Sequence, residues 1–358
     1  MGRYVVIMAG GSGTRFWPAS RLDRPKQLLQ LLSEKSLLEE TVDRVRPIVP
    51  AERIFIVCNQ RYVRQIQETI ADVPPENVIA EPVGRNTAPC IALVARYLRE
   101  RDPQSVMAVL PADHFIRDEE RFRQFLTAAI HAAENEDFLV TLGILPQRPH
   151  TGYGYIRAGE TRCSVDGIAF QSAEEFLEKP TLHVAEGFLQ EGNYYWNSGM
   201  FCWKSRVIFS EIRRFLPEIA QPLDDFFNAG LTLAEEEAFH DMFARLPAIS
   251  IDYGVMEKSD KVVVARSDFG WNDVGSWDAL EDLIFAEDGN ICVGEPPVML
   301  NSRRCIIYSD GTLVAGVGVE DLVIAACDDA VLVARKENAQ EIRKLVDKLR
   351  EENRLKYL

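Results

Sequence analysis

A chain of 358 residues is long enough to bury a large core and carry a small appendage. Its composition, 47% hydrophobic and 27% charged, is that of a globular protein, and its net charge of −15 argues against nucleic acid or an anionic membrane as the main partner. An acidic protein that handles a polyanion must concentrate its cations locally, so arginines and lysines beside glycines carry weight.

No charged-then-apolar leader precedes the first strand-like run, and no stretch nears the roughly 18 apolar residues of a membrane span. The seven cysteines are scattered and contain no C-x-x-C pair, so buried free thiols and a cytoplasmic protein are expected.

In the first half, β-branched runs at 3–8, 53–58, 77–80, 105–110 and 138–143 alternate with helical patterns at 37–45, 62–71, 88–101 and 121–135. Ser36 and Glu39 have the spacing of a capping box. The alternation predicts an α/β fold with a doubly wound, Rossmann-like sheet, on which ligands bind at the C-terminal strand ends. Strand-like pieces at 154–157 and 173–176 follow, then a helix over 182–191, a run over 196–203, and acidic helices through residue 245. After residue 288, short valine- and isoleucine-rich pieces at 298–300, 305–308, 313–319, 322–326 and 331–334 predict a small β module, read as a short β-helix, closed by a helix over 338–354. The expected domains are 1–287 and 288–358.

Directly after the first strand stands Met8-Ala9-Gly10-Gly11-Ser12-Gly13-Thr14-Arg15. Glycines there let backbone N–H groups converge on phosphate oxygens, and Ser12 and Thr14 add hydroxyl donors. Taken alone, the run is a tight turn as readily as a phosphate cradle. It lacks the G-K-[ST] ending of a P-loop and the G-x-G-x-x-G register of a dinucleotide fold, which disfavours a dehydrogenase. Arg15, Arg21, Arg24 and Lys26 follow closely, a cationic density that suits a triphosphate.

The run from Gly10 through Phe16-Trp17-Pro18-Ala19-Ser20 to Pro25-Lys26-Gln27 resembles the signature of nucleotide-sugar pyrophosphorylases, and its wording is closest to the bacterial mannose-1-phosphate guanylyltransferases. The resemblance implies that Ala9, Gly10, Gly11, Gly13 and Thr14 hold GTP phosphates while Arg15 and Lys26 neutralise charge at the α-phosphate. Glu81-Pro82-Val83-Gly84-Arg85-Asn86-Thr87 is a helix-capping segment by its residues alone. It is similar to the family's guanine-reading stretch, so Glu81, Arg85, Asn86 and Thr87 are expected at the nucleotide.

Tyr153-Gly154, Glu178-Lys179-Pro180 and Asn197-Ser198-Gly199 read as ordinary turns one at a time. By resemblance, Gly143, Tyr153, Gly154, Glu178 and Asn197 face the hexose and Lys179 meets its phosphate. Asp113, just past an apolar strand, suits Mg²⁺. Asp273, an Asx turn on local reading, is paired with it as a metal site by resemblance. Asp252-Tyr253-Gly254-Val255-Met256-Glu257-Lys258 also looks like this family, as a helix start near the sugar.

The resemblance implies transfer of GMP from GTP to mannose-1-phosphate with Mg²⁺, by in-line attack on the α-phosphorus, in a homodimer. A guanylyltransferase for a heptose or fucose phosphate and a non-catalytic nucleotide-sugar-binding subunit are the alternatives. The longer relatives' isomerase domain is not expected, nor is isomerase activity.

Overall fold

The structure, a computed structural model, describes residues 1–11, 13–286 and 289–358; Ser12 and the expected boundary at 287/288 lie outside the described residues. The chain divides into two compact units, each discontinuous in sequence. One comprises residues 1–10, 42–111 and 116–271; the other comprises 11–41, 112–115 and 272–358.

The first unit is built on a mixed sheet. Its strands are β1 (Arg3–Ala9), β2 (Ile54–Asn59), β3 (Val78–Glu81), β4 (Val106–Pro111), β6 (Leu139–Ile144), β7 (Gly154–Val165), β8 (Ile168–Glu178), β9 (Tyr194–Lys204) and β10 (Val262–Ser267). Two-residue strands β5 (Phe115–Ile116) and β11 (Trp271–Asn272) fall where the chain leaves one unit for the other. The sheet order is β3-β2-β1-β4-β9-β6-β10-β8-β7. β1 through β4 pair in parallel, and β9 enters antiparallel to both β4 and β6. Val5, Val6 and Ile7 of β1 are wholly buried, as a central parallel strand covered on both faces requires.

Helices α2 (Val63–Thr69), α3 (Thr87–Arg101), α4 (Glu119–Asn135), α5 (Leu182–Glu191), α6 (Ser205–Phe215), α7 (Pro217–Asn228) and α8 (Glu236–Ala244) complete this unit, while α1 (Leu37–Val45) crosses the division. The five strands expected in the first half are β1–β4 and β6, and they and the helices α1–α4 fall within two residues of the expected bounds, whereas β5 was not expected. The pieces at 154–157 and 173–176 are instead the inner ends of a long hairpin, β7 and β8, whose register shifts repeatedly. Those shifts break the alternation that would have marked its full length. β10 was not expected.

In the second unit, β12 (Ile291–Gly294), β14 (Ile306–Ser309) and β16 (Leu322–Cys327) stack in parallel, closed by antiparallel β17 (Ala330–Arg335). β13 (Val298–Leu300) and β15 (Ala315–Val317), lying between them in sequence, pair in parallel in a second sheet. Strands that alternate between two sheets and pair with the previous rung form a short β-helix, as expected. The closing helix is shorter than 338–354: a 3₁₀ turn (Lys336–Glu341) precedes α9 (Ile342–Glu351). Phe16, Trp17, Trp277, Tyr308 and Val346 share this unit's core. The Phe-Trp of the glycine-rich signature is therefore packing, with the Trp17 indole donating to the Tyr357 carbonyl at 2.6 Å. The Ser36–Glu39 capping box forms, with Glu39 accepting from the Ser36 N–H at 2.7 Å.

Candidate active site

The second unit gathers the cationic loop and both aspartates. Gly13 has φ 63°, and the 3₁₀ turn Thr14–Phe16 closes on it through the Phe16 N–H at 2.9 Å. A second 3₁₀ turn, Lys26–Leu28, starts after the extended Pro25 and buries the Lys26 side chain. Lys26 Nζ donates to Asp113 Oδ2 at 2.7 Å and to the Asp273 carbonyl at 2.9 Å, and lies 5.7 Å from the Phe16 ring centroid. One ammonium thus bridges two positions remote in sequence.

Burial alone would raise the Asp113 carboxyl, but Lys26, then His114, and hydrogen bonds from Lys26 and its own backbone hold it below the ordinary carboxylate range. Beside Asp273, the Asx turn belongs to its neighbour: Asn272 Oδ1 accepts from the Val274 N–H at 2.7 Å. A Cβ on Gly275 would sit 3.0 Å from Asp273 Oδ2, so this turn leaves little space beside the carboxylate.

The four cations of the loop do not act as one cluster. Arg21 forms a two-pronged pair with Asp329 at 2.5 and 3.1 Å, and Arg24 pairs with Asp310. Both guanidiniums tie the loop to turns of the β-helix, after β14 and between β16 and β17, which corrects the expectation of four cations for a triphosphate. Arg15 is exposed and donates to Gln340 Oε1 at 3.0 Å; Gln340 in turn donates to Ser276 Oγ at 2.5 Å. Sequence reasoning missed Gln340 and Ser276, because a glutamine after a β module carries no local signature.

The first unit holds the remaining expected residues in two groups. At the end of β3, Glu81 is 5% exposed, and its Oε1 is buried without a hydrogen-bond partner among the described residues. Burial pushes its carboxyl up to about 7, against a hydrogen bond from Cys90. Ala9 is buried in β1, and a Cβ on Gly10 would lie 3.5 Å from Glu81 Oε2. Asn86, at φ 68°, caps α3 by accepting from the Thr87 N–H at 2.8 Å. Thr87 Oγ1 accepts from the Ile251 N–H at 2.8 Å, and Arg85 donates to the Ala244 carbonyl.

The second group surrounds Asn197 on β9. A Cβ on Gly143 would press on Val264 and Tyr195, at 2.6 and 2.8 Å. Gly154 lies against the Glu178 carboxylate, where a Cβ would overlap Oε2. Lys179, at φ 52°, donates its N–H to the Tyr153 carbonyl at 3.1 Å, and its Nζ lies 3.4 Å from Glu178 Oε1. The Tyr153 ring stacks on His150 with centroids 3.8 Å apart. Gly143, Tyr153, Gly154, Glu178, Lys179 and Asn197 therefore belong to one neighbourhood of strand ends.

A nucleotidyl transferase family model matches residues 4–287, and a model of the mannoseP isomerase/GMP-like β-helix domain matches residues 296–349. Mannose-1-phosphate guanylyltransferase of Klebsiella pneumoniae is 41% identical over 356 residues, covering 98% of this chain and 75% of its own length. The protein of that name from Escherichia coli is 40% identical with the same coverage. The chain belongs to the mannose-1-phosphate guanylyltransferase family of nucleotidyl transferases. The crystal structure of mannose-1-phosphate geranyltransferase from Thermus thermophilus matches with a TM-score of 0.87 at 38% identity, covering 98% of this chain and all of that one.

For a member of this family, the donor set bears on a divalent cation. Among the described residues no three His, Cys, Asp or Glu side chains form a complete metal cage. Mg²⁺ does not need one, since it is commonly held by one or two carboxylates and completes its shell with water and phosphate. Asp113 is held ionised by Lys26 and keeps 33% of its side chain exposed, which fits that role. No helix among the described residues is long and apolar enough to cross a membrane.

Proposed function

We propose that this chain transfers GMP from GTP to mannose-1-phosphate, giving GDP-mannose and pyrophosphate. What carries the reading is the convergence of Lys26 on both Asp113 and Asp273, in a chain about 40% identical to proteins named for this activity.

The physical problem is bringing two polyanions together. At about 4 Å and an effective dielectric of 20, two unit charges repel by roughly 4 kcal/mol, so fixed cations must offset them. Lys26 and Arg15 are assigned to the α-phosphate, with Ala9, Gly10, Gly11, Gly13 and Thr14 as the phosphate loop. Asp113 and Asp273 would hold Mg²⁺, which when bound offsets charge on the α-phosphate and the leaving pyrophosphate. The sugar phosphate is already anionic near neutral pH, so its oxygen attacks in line without a strong base.

Glu81 is assigned to the base, because its unpartnered Oε1 calls for an N–H donor. Arg85, Asn86 and Thr87, which shape that segment through backbone contacts, are assigned to the nucleotide with it. Gly143, Tyr153, Gly154, Glu178 and Asn197 are assigned to the hexose, and Lys179 to its phosphate.

The catalytic domain is taken as residues 1–287, with 288–358 as the β-helix module. A cytoplasmic homodimer is part of the reading, supported by exposed Val298, Leu300, Val317, Val331 and Val333 on the module's strands. Pyrophosphate release with GTP and mannose-1-phosphate, run beside ATP, UTP, glucose-1-phosphate and a heptose phosphate, tests the assignment. Equal or faster release with another pair, or none at all, would reject it. Light scattering that finds a monomer would reject the dimer alone.

A further inference from the structure

Residues Asp252–Met256 form a π-helical turn, closed by the Glu257 N–H donating to the Asp252 carbonyl at 2.9 Å. Single π turns inside helical segments occur often at functional sites. The wide turn presents two carboxylates to the sugar neighbourhood. Asp252 Oδ1 accepts from Asn197 Nδ2 at 2.9 Å, and Glu257 Oε1 accepts from the Glu178 N–H at 3.3 Å.

The contact with Asn197 sets an orientation. A side-chain amide has a donor end and an acceptor end, and only its partners decide which way it points. Here the acceptor, Asn197 Oδ1, receives the Gly199 N–H at 3.3 Å and faces the Thr141 hydroxyl at 3.2 Å. The Thr141 proton is shared with the Met200 carbonyl, so the hydroxyl alone would not hold the amide. The acceptor at Asp252 does: a flipped amide would set oxygen against carboxylate and NH₂ against the Gly199 N–H.

We infer that Asp252 is a positioning residue, which fixes the Asn197 amide so that its remaining hydrogen-bonding capacity selects among hexose phosphates. This rests on the reading of Asn197 as a sugar-facing residue. The role needs an acceptor at residue 252 and no charge there. Burial and the neighbouring Glu178 raise the Asp252 carboxyl to about 7, opposed by donors from its backbone and Asn197 and by Lys179. The group thus serves as an acceptor in either protonation state.

Steady-state kinetics of Asp252→Leu, Asp252→Asn and Asn197→Ala, with GTP and either mannose-1-phosphate or glucose-1-phosphate, test this. Asp252→Leu should raise KM for mannose-1-phosphate about tenfold and lower the preference for mannose over glucose. Its KM for GTP should stay within about twofold of the parent. Asp252→Asn keeps an acceptor and should restore both values. Should Asp252→Leu fail to fold, Asp252→Ser, whose hydroxyl is too short to reach Asn197, is read the same way.

An Asn variant as impaired as the Leu variant would overturn the inference, and so would equal rises in both KM values or no rise in either. Asn197→Ala is the separate arm. If it leaves KM for mannose-1-phosphate unchanged, the sugar assignment itself fails, whatever residue 252 does.

Discussion

Gly13 and Lys26 approach so closely that residue 13 has no room for a side chain. A Cβ there would overlap Lys26 Cβ and lie 3.2 Å from Lys26 Cα. Those are not flexible side-chain ends, so the whole Lys26–Leu28 turn would have to shift. Gly13→Ala would also carry the left-handed strain of φ 63°, roughly 1–2 kcal/mol. The expected outcome is a melting temperature lower by several degrees and turnover reduced by about ten- to a hundredfold. Gly11→Ala is the contrast, because nothing lies within 4 Å of its Cβ. It should melt like the parent and differ only in KM for GTP. Thermal melts beside turnover separate the two.

How far the sequence could be read depended on whether the partner was local. β1 was legible because Val5, Val6 and Ile7 are buried on both faces, and the capping box because its partners are three residues apart. Arg21 and Arg24 looked like phosphate ligands, since nothing near them announces that Asp329 and Asp310 will neutralise them. Asp113 and Asp273 were paired by resemblance alone; no periodicity links them. β10 was missed although Val262, Val263 and Val264 are consecutive and buried, because a three-valine run after a turn reads equally as a short irregular segment.

Glu81 gives a pH-dependent prediction. Its folded-state carboxyl, raised to about 7, lies above the unfolded value of about 4.3. Between those values the native state binds the extra proton, so the stabilisation is complete below about pH 4.3 and is lost as pH rises through 7. Glu81→Gln stays neutral throughout. Urea unfolding should therefore show Glu81→Gln gaining on the parent from pH 5 to 8, by up to about 3 kcal/mol. A constant difference over that range would mean that Glu81 is ionised in the fold.

Thr87 separates a structural role from a ligand role. Its hydroxyl accepts from the Ile251 N–H, so Thr87→Val would leave that donor without its acceptor at a cost of about 1–2 kcal/mol. Thr87→Ser keeps the oxygen and should unfold within about 0.5 kcal/mol of the parent. If instead Thr87→Val keeps full stability but loses GTP affinity while Thr87→Ser keeps both, the hydroxyl serves the nucleotide rather than the backbone.

Lys26 and Asp113 should behave as one unit. Lys26→Met and Asp113→Asn are each expected to lower turnover by about 10²–10³. Lys26→Met also leaves a carboxylate without its cation and should cost stability, by about 3 kcal/mol. Because each change removes the same contact, the double variant should be little slower than the worse single one, a coupling that independent sites would not show. Metal titration then distinguishes the two parts. Asp113→Asn should recover part of its turnover as Mg²⁺ is raised, since a weakened ligand is offset by concentration. Lys26→Met should not, because the lost charge sits on the protein. Near-normal turnover of Asp113→Asn at limiting Mg²⁺ would remove Asp113 from the metal site and leave it as the counter-ion of Lys26.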